Sequence, residues 1–579
     1  MKGVGGVEVT PFFLKGVWTV RKPALMTLVG ALVLGALLCA PAWADSQGTE
    51  PVVVISTAGY DALMADLACL GEIAGHPGLD KSVDAIVTLA TKGRGLAGVD
   101  KARPWGIAIL PGEGKPTGYG FIPVTDLKAL LDLLAELGHK SSDAGDGLIE
   151  IDTKQEGKRL LVRECNGWAF FADKPECLAN LPDDPGQLLA GMAPQYDWAV
   201  RLNVCKAPQQ HREKLVEAIR AHAEKHLDEA KGTEAQKALY HVIARIILSD
   251  IETAIKELEQ ITIGGSFDHE AKTASLEATV TALEGTSSAA KLAQLKESVT
   301  NLAGFQLPDA AVTAGVAVQC SDINTEAVTS LFGAIKTAAF EEIDKKVDSQ
   351  EKAEKAKEFL GRLLRAAAET VAGGQFDRRM SLLLKPDAVT LVGATLVANG
   401  PDLEQTLGML VEAARKKHGE EVDKFFTPNA EEYNGVRLHV LSIPITDKCD
   451  HHEDAVALVG EKLDVVFGVH DKAVGFAAGR DAMKTMKQVI DQSIASGQQE
   501  TLPAQCSVSL QQVADFLAAV AEEKEKPIAE AAAAILKESS GKDHITAVVQ
   551  PIERGLKCTL QMEEGVLRVL AEAQKLIQK

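Results

Sequence analysis

The sequence predicts an α+β protein of two tandem related halves, each with antiparallel sheets and helices packed on one side. The first observation is a recurring order of a strand, two long helical segments, a strand pair and a helix. This order covers 198–283 and begins again at 312–320 and at 506–510. The second is that short turns join the strand pairs, which makes them antiparallel. The third is apolar alternation, as in the run Leu276–Val280, which indicates one buried sheet face.

The elements of the first half follow from local patterns. Asp146-Gly147 and Asn166-Gly167 are typical hairpin turns, and Asp126 is a typical N-cap for the helix behind it. The predicted strands are Val52–Ser56, Trp105–Leu110, Tyr119–Val124, Leu148–Ile151, Arg159–Arg163, Trp168–Ala172, Trp198–Cys205, Ile261–Phe267 and Thr273–Leu283. The predicted helices are Asp61–Ile73, Leu127–Leu137, Lys174–Leu181, Gln209–Glu229, Thr233–Gln260 and Ser288–Leu302.

The second half repeats this order. Its predicted strands are Val312–Cys320, Met380–Leu384, Val389–Val397, Val436–Ile445, Leu463–Val469, Ala473–Ala477, Cys506–Leu510, Ile545–Pro551 and Gly555–Met562. Its predicted helices are Glu326–Ala372, Pro401–Ala414, Ala455–Leu463, Asp481–Ile490, Gln511–Lys537 and Leu567–Lys579. We therefore place the boundary near 304–309 and expect a first half at 45–304 and a second at 305–579. One repeat offers too small a sheet face to be stable alone, so neighbouring repeats should complete each other's cores.

Residues 1–44 read as a cleavable signal peptide. Lys15, Arg21 and Lys22 precede the apolar run Ala24–Ala40, and a small-x-small site ends at Ala44. Retention as a membrane anchor is the alternative, but the run is short for a bilayer span. We therefore expect cleavage after Ala44, a periplasmic or secreted protein, and no stable membrane insertion after cleavage.

The composition is acidic. The chain carries a formal charge of −20, and the leader accounts for +3 of it, so the mature protein would carry −20 − 3 = −23. A surface of this sign repels phosphate backbones and anionic headgroups, which argues against a nucleic-acid partner.

Eight of the nine cysteines lie beyond the leader, and none forms a C-x-x-C pair. Their spacing gives no support to a thioredoxin-like site or a zinc ribbon. An even number permits disulfides, whereas buried free thiols acting as small apolar side chains are the alternative.

The residues best suited to bind a metal are Cys449, Asp450, His451 and His452. Consecutive residues of one loop cannot all converge on one ion, and helix capping ahead of Ala455 explains the acidic residues equally well.

His222 and His226 are four residues apart on a predicted helix, but they lack the H-E-x-x-H pattern of zinc hydrolases. Ser288-Ala-Ala-Lys291 matches S-x-x-K without the motifs that accompany it in β-lactamases. We find neither a nucleophile elbow nor a phosphate-binding loop, and we expect no catalytic residue and no cofactor.

Three segments, beginning at Phe121, Asn166 and Gln195, resemble a group of exported bacterial proteins of unknown function that share them in this order. The resemblance covers mainly residues 50–300. It implies a large exported globular protein and supplies no catalytic residue.

The expected function is therefore that of a non-enzymatic binding or structural protein of the bacterial cell envelope, with a groove between its halves. One alternative is a carrier of a lipid or another apolar ligand, because antiparallel sheets backed by helices can enclose an apolar cavity. The other is a metal-dependent hydrolase that uses the loop at 447–454 or the His222/His226 pair.

Overall fold

The structure is a computed structural model, and it describes residues 50–111, 117–153, 159–321, 323–446, 452–522 and 524–577. The expected signal peptide, its cleavage site, and Cys449, Asp450 and His451 lie outside the described residues.

The described residues contain 14 α-helices and 22 strands. The helices are α1 (Tyr60–Ile73), α2 (Leu79–Ala90), α3 (Leu127–Glu136), α4 (Gln209–Asp228), α5 (Glu234–Glu257), α6 (Ser287–Gln294), α7 (Thr325–Lys346), α8 (Gln350–Ala372), α9 (Gly400–His418), α10 (His452–Val459), α11 (Ala482–Ser496), α12 (Leu510–Val520), α13 (Lys526–Glu538) and α14 (Glu564–Ile577).

The strands of the amino-terminal part are β1 (Val53–Thr57), β2 (Trp105–Leu110), β3 (Thr117–Pro123), β4 (Ser141–Gly145), β5 (Leu148–Asp152), β6 (Arg159–Cys165), β7 (Trp168–Ala172), β8 (Trp198–Leu202), β9 (Leu258–Asp268), β10 (Thr273–Ala282) and β11 (Val299–Thr300). Those that follow are β12 (Val312–Gln319), β13 (Gln375–Lys385), β14 (Ala388–Leu396), β15 (Phe426–Tyr433), β16 (Val436–Pro444), β17 (Lys462–His470), β18 (Ala473–Gly479), β19 (Gln499–Glu500), β20 (Ala504–Ser509), β21 (His544–Ile552) and β22 (Gly555–Met562).

Twenty strands form one antiparallel sheet, and β11 pairs separately with β19. From one edge to the other, the pairings give the order β4-β5-β6-β7-β3-β2-β1-β8-β9-β10-β22-β21-β20-β12-β13-β14-β18-β17-β16-β15. Read inward from each edge, the two sides follow the same chain order. They meet where β10 pairs with β22, and the α+β class with antiparallel strands is confirmed.

The two faces of the sheet are packed differently. One face, here called the hairpin face, carries the helical hairpins: Ile251 and Ile255 of α5 pack on Ile261 of β9. The prediction that helices pack on one side has an exception, because Met486 and Val489 of α11 pack on the opposite face. That helix is amphipathic, and its apolar side covers the small residues of β14 and β18.

Several predicted boundaries need correction. Leu258 was expected in a helix, but it opens strand β9, and the predicted helix Glu326–Ala372 is interrupted between α7 and α8. The predicted helix Lys174–Leu181 is reduced to a 3-10 turn, Pro175–Leu178. Among the described helices, none combines the length and apolar character that a membrane span needs.

The seven cysteines within the described residues are free thiols, which agrees with the alternative to disulfides.

Candidate functional site

An unbroken row of apolar side chains crosses the middle of the hairpin face. Residues directly opposite each other in antiparallel strands share one face, so the strand register identifies the members of this row. We call it the apolar row, and it consists of Ile107, Ile55, Val200, Ile263, Ala278, Cys558, Val549, Ala504 and Val316. It crosses nine strands in eight steps, a length of about 38 Å at ~4.8 Å per step.

No member of the apolar row is fully buried. The two end residues are the most open, with Ile107 43% and Val316 44% exposed, and the seven between them are half-buried. Burial raises the pKa of the Cys558 thiol, which keeps it protonated and effectively apolar. An apolar face normally gains stability by being covered, so nine half-open positions in one row form a surface that is suited to a further apolar contact.

A second row, two residues farther along the strands, extends this surface. Trp198 is 45% exposed and Leu276 is 41% exposed, and the next residue across the central junction is Leu560. Gly265 lies between Trp198 and Leu276 in the register. A Cβ at Gly265 would lie 2.5 Å from the indole Nε1 of Trp198, so glycine lets the indole lie close to the sheet.

Two helical hairpins border this surface on one side. The hairpin α4–α5 is anchored to the sheet at its base, where Ile219 and Ile255 join Ile261 in one cluster. The apolar side chains along one side of α5 form a stripe that includes Ile255. Farther from the sheet, Leu239 and Val242 of this stripe are only half-buried. The hairpin is therefore well buried at its base and half-buried along the rest of its apolar stripe.

The second hairpin, α7–α8, meets the first at its tip. Thr233 Oγ1, at the start of α5, donates a 2.8 Å hydrogen bond to Glu341 Oε2 of α7. The hairpin bases are five strand spacings apart, about 24 Å, and helices of 24 and 22 residues are about 33–36 Å long. The helices can therefore span the four strands between β9 and β12.

Hairpin α7–α8 is linked to the hairpin face through α9. Arg362 of α8 donates to Gln405 of α9 at 3.0 Å. Glu404 of α9 contacts Arg437 and His439, whose register places them on the hairpin face. Both hairpins thus lie on the side of the sheet that carries the apolar row.

The opposite face of β10 and β22 is polar. Glu277 accepts hydrogen bonds from Tyr196 at 2.9 Å and from Lys557 and Thr559 at 3.2 Å. Burial and the neighbouring Glu277 carboxylate raise the pKa of Tyr196 to about 12. On these two strands, the hairpin face therefore carries apolar side chains and the opposite face carries polar ones.

The predicted metal loop receives no test from the structure. Of its four candidates only His452 is described, as the first residue of α10. The acidic residues behind it, Glu453 and Asp454, lie in the first turn of that helix, as the capping interpretation predicts.

The second predicted pair, His222 and His226, is close in space. Their Nε2 atoms are 3.1 Å apart on the surface of α4. Two imidazoles on an exposed helix could contribute two ligands to an ion, but no third ligand-type side chain joins them within the described residues.

Sequence reasoning missed a cluster of Asp66, Asp197 and His269. Asp66 Oδ1 is 2.5 Å from His269 Nε2, which joins α1 to the turn after β9. Burial first, and then the charge of Asp66, raise the pKa of Asp197, whose Oδ2 accepts from the Phe267 N–H at 2.7 Å. These residues are more than 60 positions apart in the chain, so no local motif could reveal them.

A cavity of about 680 Å³ lies between α1 and α2, and Tyr60, Met64, Asp84, Leu89 and Lys101 are among the residues that line it. It is wide open to solvent, and α2 contains no buried residue, with Ile86 65% and Leu89 82% exposed.

Comparison of the chain with family models, with curated proteins and with solved structures found no match. The resemblance of the segments at Phe121, Asn166 and Gln195 to exported bacterial proteins therefore stays a prediction.

Proposed function

We propose that the protein is an exported, non-enzymatic carrier that binds a lipid, or another ligand with long apolar chains, on its hairpin face. The observation that carries this proposal is the apolar row: nine consecutive apolar residues on nine neighbouring strands, none of them fully buried. The leader predicted at 1–44 would deliver the protein to the cell envelope, where such ligands are made and moved.

The occupant is expected to be an acyl chain for a physical reason. The apolar row has no charged member and no side chain with a strong hydrogen-bonding group. It therefore offers a ligand apolar contact area and no hydrogen bonds or ion pairs. An acyl chain gains ~0.8 kcal/mol for each buried methylene. About ten buried methylenes would give ~8 kcal/mol before the entropic cost of association, so ~1 µM is the tightest Kd expected.

We further propose that the chain is a tandem duplication with its boundary near 304–309. The same chain order of strands on either side of the β10–β22 pair supports this proposal. Under it, the apolar row is continuous only because the two halves join, so the binding surface belongs to the whole chain and to neither half alone.

Trp198 provides a direct test of binding. Three tryptophans follow the leader, and Trp168 is buried whereas Trp198 is 45% exposed on the hairpin face. We expect a doxyl-labelled stearic acid to quench the fluorescence of the mature protein in a saturable way, with a midpoint no tighter than ~1 µM. The variant Trp198→Phe should lose most of this quenching.

The variant Leu276→Lys tests the location. A lysine here places a charge beside the apolar row, and we expect at least tenfold weaker binding because an ammonium group beside an acyl chain must stay hydrated. Ile494→Lys is the matched control, since Ile494 is 59% exposed on α11 against the other face. Equal affinities for the two variants would refute the proposed surface.

A further inference from the structure

A second site lies at the end of the sheet where β21 begins and β22 ends. Asp543, His544 and Glu563 bring two carboxylate oxygens and one imidazole nitrogen within 4.8 Å of one another. His544 Nδ1 is 3.4 Å from Asp543 Oδ1 and 3.5 Å from Glu563 Oε2. One nitrogen is therefore almost equally distant from two carboxylate oxygens.

The Asp543 side chain is 95% buried, and its two oxygens differ in their surroundings. Oδ2 accepts from Ser509 Oγ at 2.6 Å and from the Gln511 N–H at 2.9 Å, at the start of α12. No N–H or O–H among the described residues donates a hydrogen bond to Oδ1, which faces His544 Nδ1. A carboxylate oxygen that receives no hydrogen bond, on a side chain held in place through its other oxygen, is available to a cation.

The spacing fits a cation better than it fits hydrogen bonds. The separations of 3.4 and 3.5 Å are long for hydrogen bonds between charged partners, which are about 2.7–2.9 Å. Ligands that share a tetrahedral ion at about 2.0–2.1 Å are about 3.3–3.4 Å apart. The two distances from His544 Nδ1 thus match those between ligands of one small ion, and the two carboxylate groups lie within the 4.8 Å of the same cluster.

We propose that Asp543, His544 and Glu563 bind one divalent transition-metal ion, of which Zn²⁺ is the best match. Imidazole suits zinc, and two carboxylates balance its charge while a fourth position stays open to water. Glu563 is held in place because its Oε2 also accepts from the His544 N–H at 2.8 Å. The ion would join the end of β20, the start of β21 and the end of β22 to the starts of α12 and α14.

The corresponding corner after β10 lacks such a set. There the Leu283 N–H donates to Glu257 O, just as the Glu563 N–H donates to His544 O. A leucine thus stands where Glu563 stands, and the Glu257 carboxylate accepts from Ser287 and Ser288 instead. The ligand set belongs to this corner of the fold and does not follow from the shared strand order.

The test is calorimetric titration of chelator-treated mature protein with Zn²⁺, together with thermal melting at each point. We expect one ion per chain and a higher melting temperature. Glu563→Gln keeps the size and the acceptor of the side chain, so it should fold normally. It should weaken binding by more than the ~10–100-fold that loss of an outer-shell partner costs. His544→Ala should do the same.

The double variant His222→Ala/His226→Ala is the control for surface histidines and should bind as the unmodified chain does. Circular dichroism confirms that each variant is folded. The proposal is overturned if the unmodified chain binds no stoichiometric Zn²⁺, or if Glu563→Gln and His544→Ala both bind as tightly as it does. It is equally overturned if the His222/His226 variant alone loses binding.

Discussion

Among the residues that the structure describes, Arg379 is the largest side chain that is completely buried. Its guanidinium donates to Gln306 at 2.8 Å and to Thr501 at 2.9 Å, and Asp377 lies 3.5 Å from its Nε. Gly315 on the neighbouring strand leaves the space, because a Cβ there would lie 2.4 Å from Nη1. Through its hydrogen bond to Gln306, the buried Arg379 therefore links the segment at 304–309 to strand β13.

Replacement of Arg379 by methionine should be strongly destabilising. Asp377 would remain 98% buried without its counter-charge, a situation that costs about 3–5 kcal/mol. The measurement is the urea midpoint followed by circular dichroism. Arg415→Met is the control, because Arg415 pairs with Glu412 and Asp423 at the surface, where solvent screens the charges, and its loss should leave the urea midpoint nearly unchanged. Similar midpoints for both variants would contradict this assignment.

Asp197 gives a pH-dependent prediction. Its raised pKa means that folding favours the protonated form, so this residue stabilises the fold most below its ordinary pKa of 3.8. That contribution is lost as the pH rises through the raised value. Asp197→Asn should therefore be more stable than the unmodified chain at pH 7.5, on the order of 0.5 kcal/mol because the site is partly exposed. The difference should vanish near pH 4. Melting curves of both proteins at both pH values test this. A stability difference that grows on acidification would show that Asp197 does not have a raised pKa in the folded protein.

At the scale of elements, sequence patterns predicted the strands with a buried face best. Trp105–Leu110 and Trp168–Ala172 have the predicted bounds, because apolar residues dominate both segments. The strands Ser141–Gly145 and Phe426–Tyr433 were missed. Both are mostly polar and exposed edge strands, so no alternation marks them.

The tip of hairpin α4–α5 depends on Thr233. Its hydroxyl accepts from the Gln236 N–H as a helix cap and donates to Glu341. Thr233→Val should cost about 1 kcal/mol of local stability. Hydrogen exchange should accelerate at the tips of both hairpins and stay unchanged in the central strands. Thr286→Val, which removes the comparable cap of α6, should leave the tips unaffected. Unchanged exchange at the α7 tip in Thr233→Val would mean that the two hairpins do not depend on each other.

At the scale of the whole molecule, the joining of the two sides was beyond sequence reasoning. The repeated order of elements was visible in the chain, but pairing of β10 with β22 joins residues about 280 positions apart. No local pattern encodes which strand edges meet. For the same reason the apolar row could not be seen, since it draws single residues from nine strands.

The pairing of β10 with β22 predicts how a fragment that lacks β22 behaves. A chain of residues 45–304 would expose β10, which in the whole protein pairs with β22 from Ala274 to Thr281. An uncovered edge strand invites pairing with another chain, so this fragment should dimerise or aggregate. Analytical ultracentrifugation beside the full mature chain tests this. A stable monomeric fragment would show that the first half needs no partner.

Apolar chains are proposed to bind along the apolar row. Photo-crosslinking with a diazirine-bearing fatty acid, followed by peptide mapping, tests it most directly because it reports where the chain lies. We predict labelled peptides from β8, β10 and β22, with labelling lost in Leu276→Lys and kept in Ile494→Lys. Labelling confined to the cavity between α1 and α2, or the same pattern in both variants, would contradict the account.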